Sequence, residues 1–147
     1  MEKLYKLLSD TQASLFVLFH KTWIYHWNVT GSNFKEYHDL FGTHYEEMFE
    51  EIDRLTEHMR YLGMRPVSTL SRITEVSSVE QASNSNQIIT SKSMVEELMK
   101  DHQKMIEMLA EVSEEAEKQR SKGTINLVDD LNEAHGKRVW MLRSFIQ

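Results

Sequence analysis

The chain has no cysteine, which removes disulfides, thiolate metal sites and cysteine nucleophiles together. It has one proline, Pro66, and five glycines in 147 residues, so little in it breaks a helix. No apolar run approaches the length of a membrane span. The opening stretch, Met1 to Asp10, lacks the apolar segment of a secretory signal, so a cytoplasmic location is expected. Basic residues are outnumbered: 17 Lys and Arg against 23 Asp and Glu give a net charge of −6, a poor match for free nucleic acid. There is no Gly-rich phosphate loop, and no segment reads as a strand. Leu, Met, Glu and Lys abound instead, a helical composition. The length fits one domain over residues 1–147.

Four long helical segments are expected. The first runs from about Leu4 to Asn28, with Leu4, Leu8, Leu15, Phe19 and Trp23 near helical spacing. Thr30-Gly31-Ser32-Asn33 breaks it. The second runs from about Phe34 to Leu62, with Leu40, Phe41, Tyr45, Met48, Ile52, Leu55, Met59 and Leu62 facing inward. Gly63 stands where a helix C-cap would, and Pro66 follows. Residues 64–91 form a long connection rich in Ser, Thr, Asn and Gln, with room for a short helix around Thr69 to Val76. The third helix opens with Ser93 and Glu96, spaced as a capping box. It continues through Met94, Leu98, Met105, Leu109, Val112 and Ala116, with a polar step at His102 and a solvated charged run from Glu111 to Lys122. The fourth begins near Thr124 and carries Leu127, Leu131, Ala134, Trp140, Met141, Leu142 and Phe145. A long crossover makes the second and third helices parallel, so the expected fold is all-α, a ferritin-like four-helix bundle.

Four residues stand out chemically. His26 and His38 are twelve apart and flank the 30–33 turn, so a helical hairpin sets them side by side. Asp53 and Glu57, four apart, share one helix face and can offer two carboxylates to one cation. His38 and Asp53 lie fifteen residues apart on one helix, roughly 22 Å at about 1.5 Å per residue. A metal–ligand bond is only about 2 Å long. If these four hold one metal, two histidines of one subunit face two carboxylates of another across a two-fold axis, and each interface has two such sites. Histidine with carboxylate and no thiolate suits Fe(II), Mn(II) or Zn(II), with two carboxylates leaning towards iron. No Glu-x-x-His occurs, so the usual intrachain di-iron arrangement of a bundle is excluded. Histidines and i,i+4 acidic pairs are more often packing or surface residues than ligands. His20, His44, His58 and His102 are read in that way, as is the methionine stripe Met94, Met99, Met105 and Met108.

The segment His26-Trp27-Asn28-Val29-Thr30-Gly31-Ser32-Asn33-Phe34, followed by His38, resembles the signature of the Dps family of mini-ferritins. Asp53-x-x-x-Glu57 with Leu62-Gly63 matches its second signature, and Trp140 to Ser144, after His135 and Lys137, resembles the family's last helix. The resemblance implies a hollow dodecamer with ferroxidase sites at its two-fold interfaces. There Fe(II) is oxidised, preferably by hydrogen peroxide, and a ferric mineral is stored in the cavity. Carried over, His26 and His38 are ligands from one subunit and Asp53 and Glu57 from its partner. Trp27 matches a tryptophan beside the site that donates an electron.

Two features depart from that pattern. Many members have an acidic residue four after the second histidine, where this chain has Gly42, a change expected to weaken a second iron position. Members often line an entry pore with carboxylates before the last helix. Here Lys118, Gln119, Arg120, Ser121, Lys122 and Asn126 are neutral to basic, and no pore residues are assigned. The competing reading is a nucleoid-associated, DNA-protecting protein with little ferroxidase activity. The negative charge argues against it, and DNA binding is not expected.

Overall fold

The computed structural model describes residues 1–82 and 89–147, and every described element is helical. The helices are α1 Glu2–Asn28, α2 Phe34–Tyr61, α3 Leu70–Val76, α4 Ser91–Lys118 and α5 Lys122–Ile146. The connection expected over 64–91 holds α3 midway, and its stretch 83–88 lies outside the described residues.

Local chemistry sets the ends. α2 stops in a Schellman turn: Gly63 N–H reaches Arg60 O and Met64 N–H reaches Met59 O at 2.8 Å, with Gly63 at φ +82. α4 closes by the same two bonds, Arg120 N–H to Glu117 O and Ser121 N–H to Ala116 O, but with Arg120 in the left-handed region at φ +56. Thr69 caps α3 by accepting Arg72 N–H. The capping box expected at Ser93 and Glu96 is displaced by one turn. Thr90 is the cap, its Oγ1 accepting Ser93 N–H at 3.1 Å, and Glu96 lies inside α4 facing Lys92. Thr90 competes successfully because Ser91 and Lys92 carry helical backbone that a propensity pattern starting at Met94 does not register.

Cross-contacts fix the topology. Phe19 meets Phe49 and Trp23 meets Tyr45, so α1 and α2 are antiparallel. Lys3 pairs with Glu115 and Lys21 with Asp101, making α1 and α4 antiparallel. α2 and α4 therefore run parallel, as a long crossover requires, and α5 returns against α4 through Asn132–Ile106 and Ser113–Asp129. Leu8, Leu18, Phe41, Met48, Leu55, Leu98, Met105 and Leu131 fill the centre with essentially no exposure. Met94 and Met105 are core, as expected. On α5, Trp140 is 55% exposed, and Phe145 is on the surface as well. Val139 and Leu142 take the inward positions on that turn. The protomer also exposes Trp27, Phe34, Phe49, Tyr61 and Leu70.

Candidate metal centre and the buried histidines

α1 ends at Asn28, and Gly31, at φ +117, turns the chain into α2. That hairpin stacks the His26 and His38 rings, with centroids 3.8 Å apart and planes 16° apart. Each ring is locked by the other residue's backbone: His26 Nδ1–H donates to His38 O and His38 Nδ1–H donates to His26 O, both at 2.7 Å. A carbonyl can only accept, so both Nδ1 atoms carry the proton. In the neutral rings this leaves both Nε2 atoms as lone-pair donors, without a partner among the described residues, the state a metal ligand needs. Phe34 stacks on His38 at 5.0 Å, and Tyr45 lies 5.2 Å from the His26 ring.

Asp53 and Glu57 lie exposed on α2 and, among the described residues, make no ion pair or side-chain hydrogen bond. They share the continuous helix Phe34–Tyr61 with His38. Fifteen residues of straight helix span about 22 Å, so one protomer holds the two halves of the set apart. Accordingly, no three His, Asp or Glu side chains among the described residues of one chain are placed to hold a single ion. Trp27, beside His26, is 53% exposed, with its ring 4.9 Å from Trp23.

The remaining histidines divide. His20 is exposed, and His58 Nε2 bonds Thr124 Oγ1 at 2.8 Å, so both are ordinary surface or packing residues. His44 and His102 are buried in the bundle centre, but not as satisfied core residues. Among the described residues, both nitrogens of His44 and the Nε2 of His102 have no protein partner. His102 Nδ1 meets His135 Nδ1 at 2.7 Å, so one ring donates and the other accepts. His135 Nε2 lies 3.2 Å from Glu51 Oε2 without good hydrogen-bond alignment, and the Arg138 guanidinium forks onto Glu51. Burial, then the positive charge of Arg138, pushes His44 down to about 3. Burial likewise pushes His102 and His135 down, against the pull of Glu51 on His135. Burial raises the Glu51 carboxyl, but His135 and then Arg138 outweigh it and leave it below its ordinary value. The sequence carried a trace of this cluster in the polar step at His102. Residues 44 and 51, seven apart on α2, and 135 and 138, three apart on α5, share faces only once the helices are docked.

A second polar group joins α1 to α4. Lys21 Nζ is buried against Asp101 Oδ2 at 2.9 Å, and Tyr25 OH donates to Glu97. Burial, then Glu97, raises the Tyr25 phenol, so it stays protonated as a donor.

A family model for the ferritin-like domain matches residues 5–147. The chain is 31% identical to a DNA protection during starvation protein of Helicobacter pylori, covering 98% of this chain and 99% of that one. It is 32% identical to DNA protection during starvation protein 2 of Bacillus anthracis, covering 96% and 94%. The fold superposes on Dps from Thermosynechococcus elongatus with a TM-score of 0.94 at 29% identity, covering 99% and 91%. On Dps from Vibrio cholerae, described as a ferritin-like diiron-carboxylate protein, it does so with 0.93 at 27% identity, covering 99% and 90%. With the bundle, the crossover helix and the match along the whole chain in place, this protein belongs to the Dps family of ferritin-like proteins.

Proposed function

We propose that residues 1–147 form one Dps domain that oxidises Fe(II) at intersubunit sites and stores the ferric product inside a hollow shell of twelve copies. The observation that carries this reading is the pair of back-bonded imidazoles. His26 and His38 present two tautomerically fixed Nε2 donors, while Asp53 and Glu57 stand unpaired about 22 Å along the same helix. A two-fold axis that runs one α2 against another brings the halves together and makes two equivalent sites per interface. The exposed aromatic and aliphatic side chains of the protomer support burial against further copies.

Iron is the substrate here. Two Fe(II) ions deliver two electrons to one hydrogen peroxide, whose oxygens leave as water or enter the ferric oxide-hydroxide, so no hydroxyl radical is released. The two carboxylates compensate the charge of Fe(III) better than imidazoles alone would. Trp27, next to His26, supplies an electron when an odd one is needed. Among the described residues no helix is long and apolar enough to cross a membrane, which accords with a cytoplasmic protein.

The direct test is Fe(II) oxidation by metal-free protein, with peroxide and with oxygen as separate oxidants, set against spontaneous oxidation. No acceleration with either oxidant removes this reading. Assembly is checked by sedimentation: twelve chains of 17.4 kDa give a particle of about 209 kDa. A stable monomer in dilute neutral buffer excludes the two-fold site.

The names of these relatives suggest a second reading, DNA protection by direct binding. Each copy contributes −6 to the shell, and affinity for DNA depends on basic side chains displacing counterions from phosphate. Lys137 and Arg138 are adjacent in sequence, but Arg138 is buried on Glu51 and unavailable to phosphate. No retardation of plasmid DNA is therefore expected at about 150 mM salt without added divalent cations. A gel shift at sub-micromolar protein would establish the second reading.

A further inference from the structure

Trp27 follows His26 in sequence, yet among the described residues the rings packed on the His26 imidazole are those of His38 and Tyr45, with centroids 3.8 and 5.2 Å away. Trp27 packs instead on Trp23 at 4.9 Å, and Trp23 stacks on Tyr45 at 5.7 Å with planes 21° apart. The two indoles are four apart on α1 and so share a face, while Tyr45 comes from α2 alongside. A continuous file of oxidisable rings therefore leads from the His26 imidazole through Tyr45 and Trp23 to Trp27. Phe19 and Phe49 extend the packing beyond them, but a phenyl ring gives up an electron far less readily than a phenol or an indole. Tyr45 is half-buried and lines a surface groove with Glu46, Glu47, Phe49 and Glu50, so its phenolic proton has water and carboxylates to go to.

We infer that Tyr45 is the electron donor of the metal site, and that Trp23 joins it to Trp27. The inference rests on the proposed reading of His26 as an iron ligand, and it concerns a site that holds one Fe(II) instead of two. Cleaving the O–O bond of hydrogen peroxide to the level of water takes two electrons, and one Fe(II) supplies one. Tyr45 supplies the other. Fe(II), the phenol and hydrogen peroxide become Fe(III), a neutral phenoxyl radical, one water and one hydroxide, with the phenolic proton in the water. An electron vacancy on Trp27 drains to the same place. A phenol that can shed its proton is oxidised more readily than an indole, so Trp23 relays one electron and one proton from Tyr45 to the indolyl radical. The next Fe(II) at the site reduces the phenoxyl to the phenol, taking the proton from water and leaving Fe(III) and hydroxide.

The test uses assembled, metal-free protein given less Fe(II) than it has sites, then hydrogen peroxide, and frozen within the reaction for electron paramagnetic resonance. In the parent an organic radical is expected whose signal narrows when the chain carries ring-deuterated tyrosine, which marks it as a phenoxyl. Tyr45→Phe keeps the ring packed on His26 and removes only the hydroxyl, so it should lose the phenoxyl signal although Tyr5, Tyr25, Tyr37 and Tyr61 remain. It should also release more hydroxyl radical, read as hydroxylation of dissolved terephthalate. Trp23→Phe should keep the phenoxyl, since Tyr45 meets His26 directly, and should prolong any indolyl signal from Trp27, which is then cut off from its donor. A parent that oxidises Fe(II) rapidly and forms only indolyl radical, or none, overturns the role of Tyr45 without any variant and leaves the site standing. So does a phenoxyl signal that survives in Tyr45→Phe or vanishes in Trp23→Phe. The parent's phenoxyl yield in His26→Ala/His38→Ala shells shows that the radical arises away from these histidines and overturns the inference. If those shells also oxidise Fe(II) as rapidly as the parent, the proposed site falls with it.

Discussion

Shells made only of His26→Ala/His38→Ala chains, and shells made only of Asp53→Ala/Glu57→Ala chains, are expected to lose rapid Fe(II) oxidation, while mixed shells recover about a quarter of it. The loss should be about 100-fold or more, the upper end of what removing even an outer-shell partner costs. The recovery follows from two-fold symmetry. An interface between two like variants contains no complete site. An interface between unlike variants contains one site with both intact halves and one with neither. Equal random mixing makes half of the interfaces unlike, and half of their sites are complete. Initial oxidation rates of co-assembled shells, with the mixing ratio verified by differential tags, measure this directly. Zero recovery in verified mixed shells would mean that the four residues do not act across an interface.

The intersubunit character proposed for the site follows from the sequence by arithmetic alone. The fifteen residues between His38 and Asp53 on one unbroken helix set a distance that no side chain spans. The helices were legible for a related reason, since Leu4, Leu8 and Leu15, or Met48, Leu55 and Met59, repeat at the period that buries one face. The crossover helix also falls where the Thr69 to Val76 pattern placed it, with Thr69 as its cap. Trp140 sits at the edge of the apolar stripe of α5, where periodicity does not decide between core and surface. Val139 and Leu142 turned out to fill the space. Ser93 was misread as a cap because it has the right spacing to Glu96, while Thr90 has the backbone geometry.

The interior chemistry was hidden for a different reason. His44, Glu51, His102, His135 and Arg138 come from three helices, and nothing within one helix announces that they meet. A histidine on an apolar face is ordinarily satisfied by a neighbour. Here the imidazoles are held neutral by burial and by the adjacent guanidinium, and several ring nitrogens have no partner among the described residues. Gly42 shows the same limit. The sequence marks it as a missing side chain, but only the docked hairpin shows that the His26 ring lies against it.

Acid should therefore destabilise this bundle early, and replacing His44 by leucine should relieve part of that sensitivity. In the unfolded chain an imidazole takes up a proton near its ordinary value of about 6.5, whereas folded His44 does so only at about 3. Between those two values the unfolded state binds more protons, so stability falls as pH falls. The contribution is intact above about 6.5 and largely gone near about 3. At pH 4, His44 alone accounts for a loss on the order of 3 kcal/mol. His102 and His135, also depressed, act in the same direction. Glu51 adds to the trend, because a carboxylate held below its ordinary value loses its contribution as pH falls through the folded value. His44→Leu removes one titrating group and its two unpartnered nitrogens while keeping apolar volume in the core, so at pH 7 it should be neutral or mildly stabilising. Urea unfolding of metal-free protein at pH 7 and pH 4, at matched protein concentration, gives the comparison. The advantage of His44→Leu over the parent should grow by roughly 3 kcal/mol across that range. Parallel pH profiles for the two chains would show that His44 is protonated in the folded bundle as easily as in the unfolded chain, and that the buried cluster does not hold it neutral.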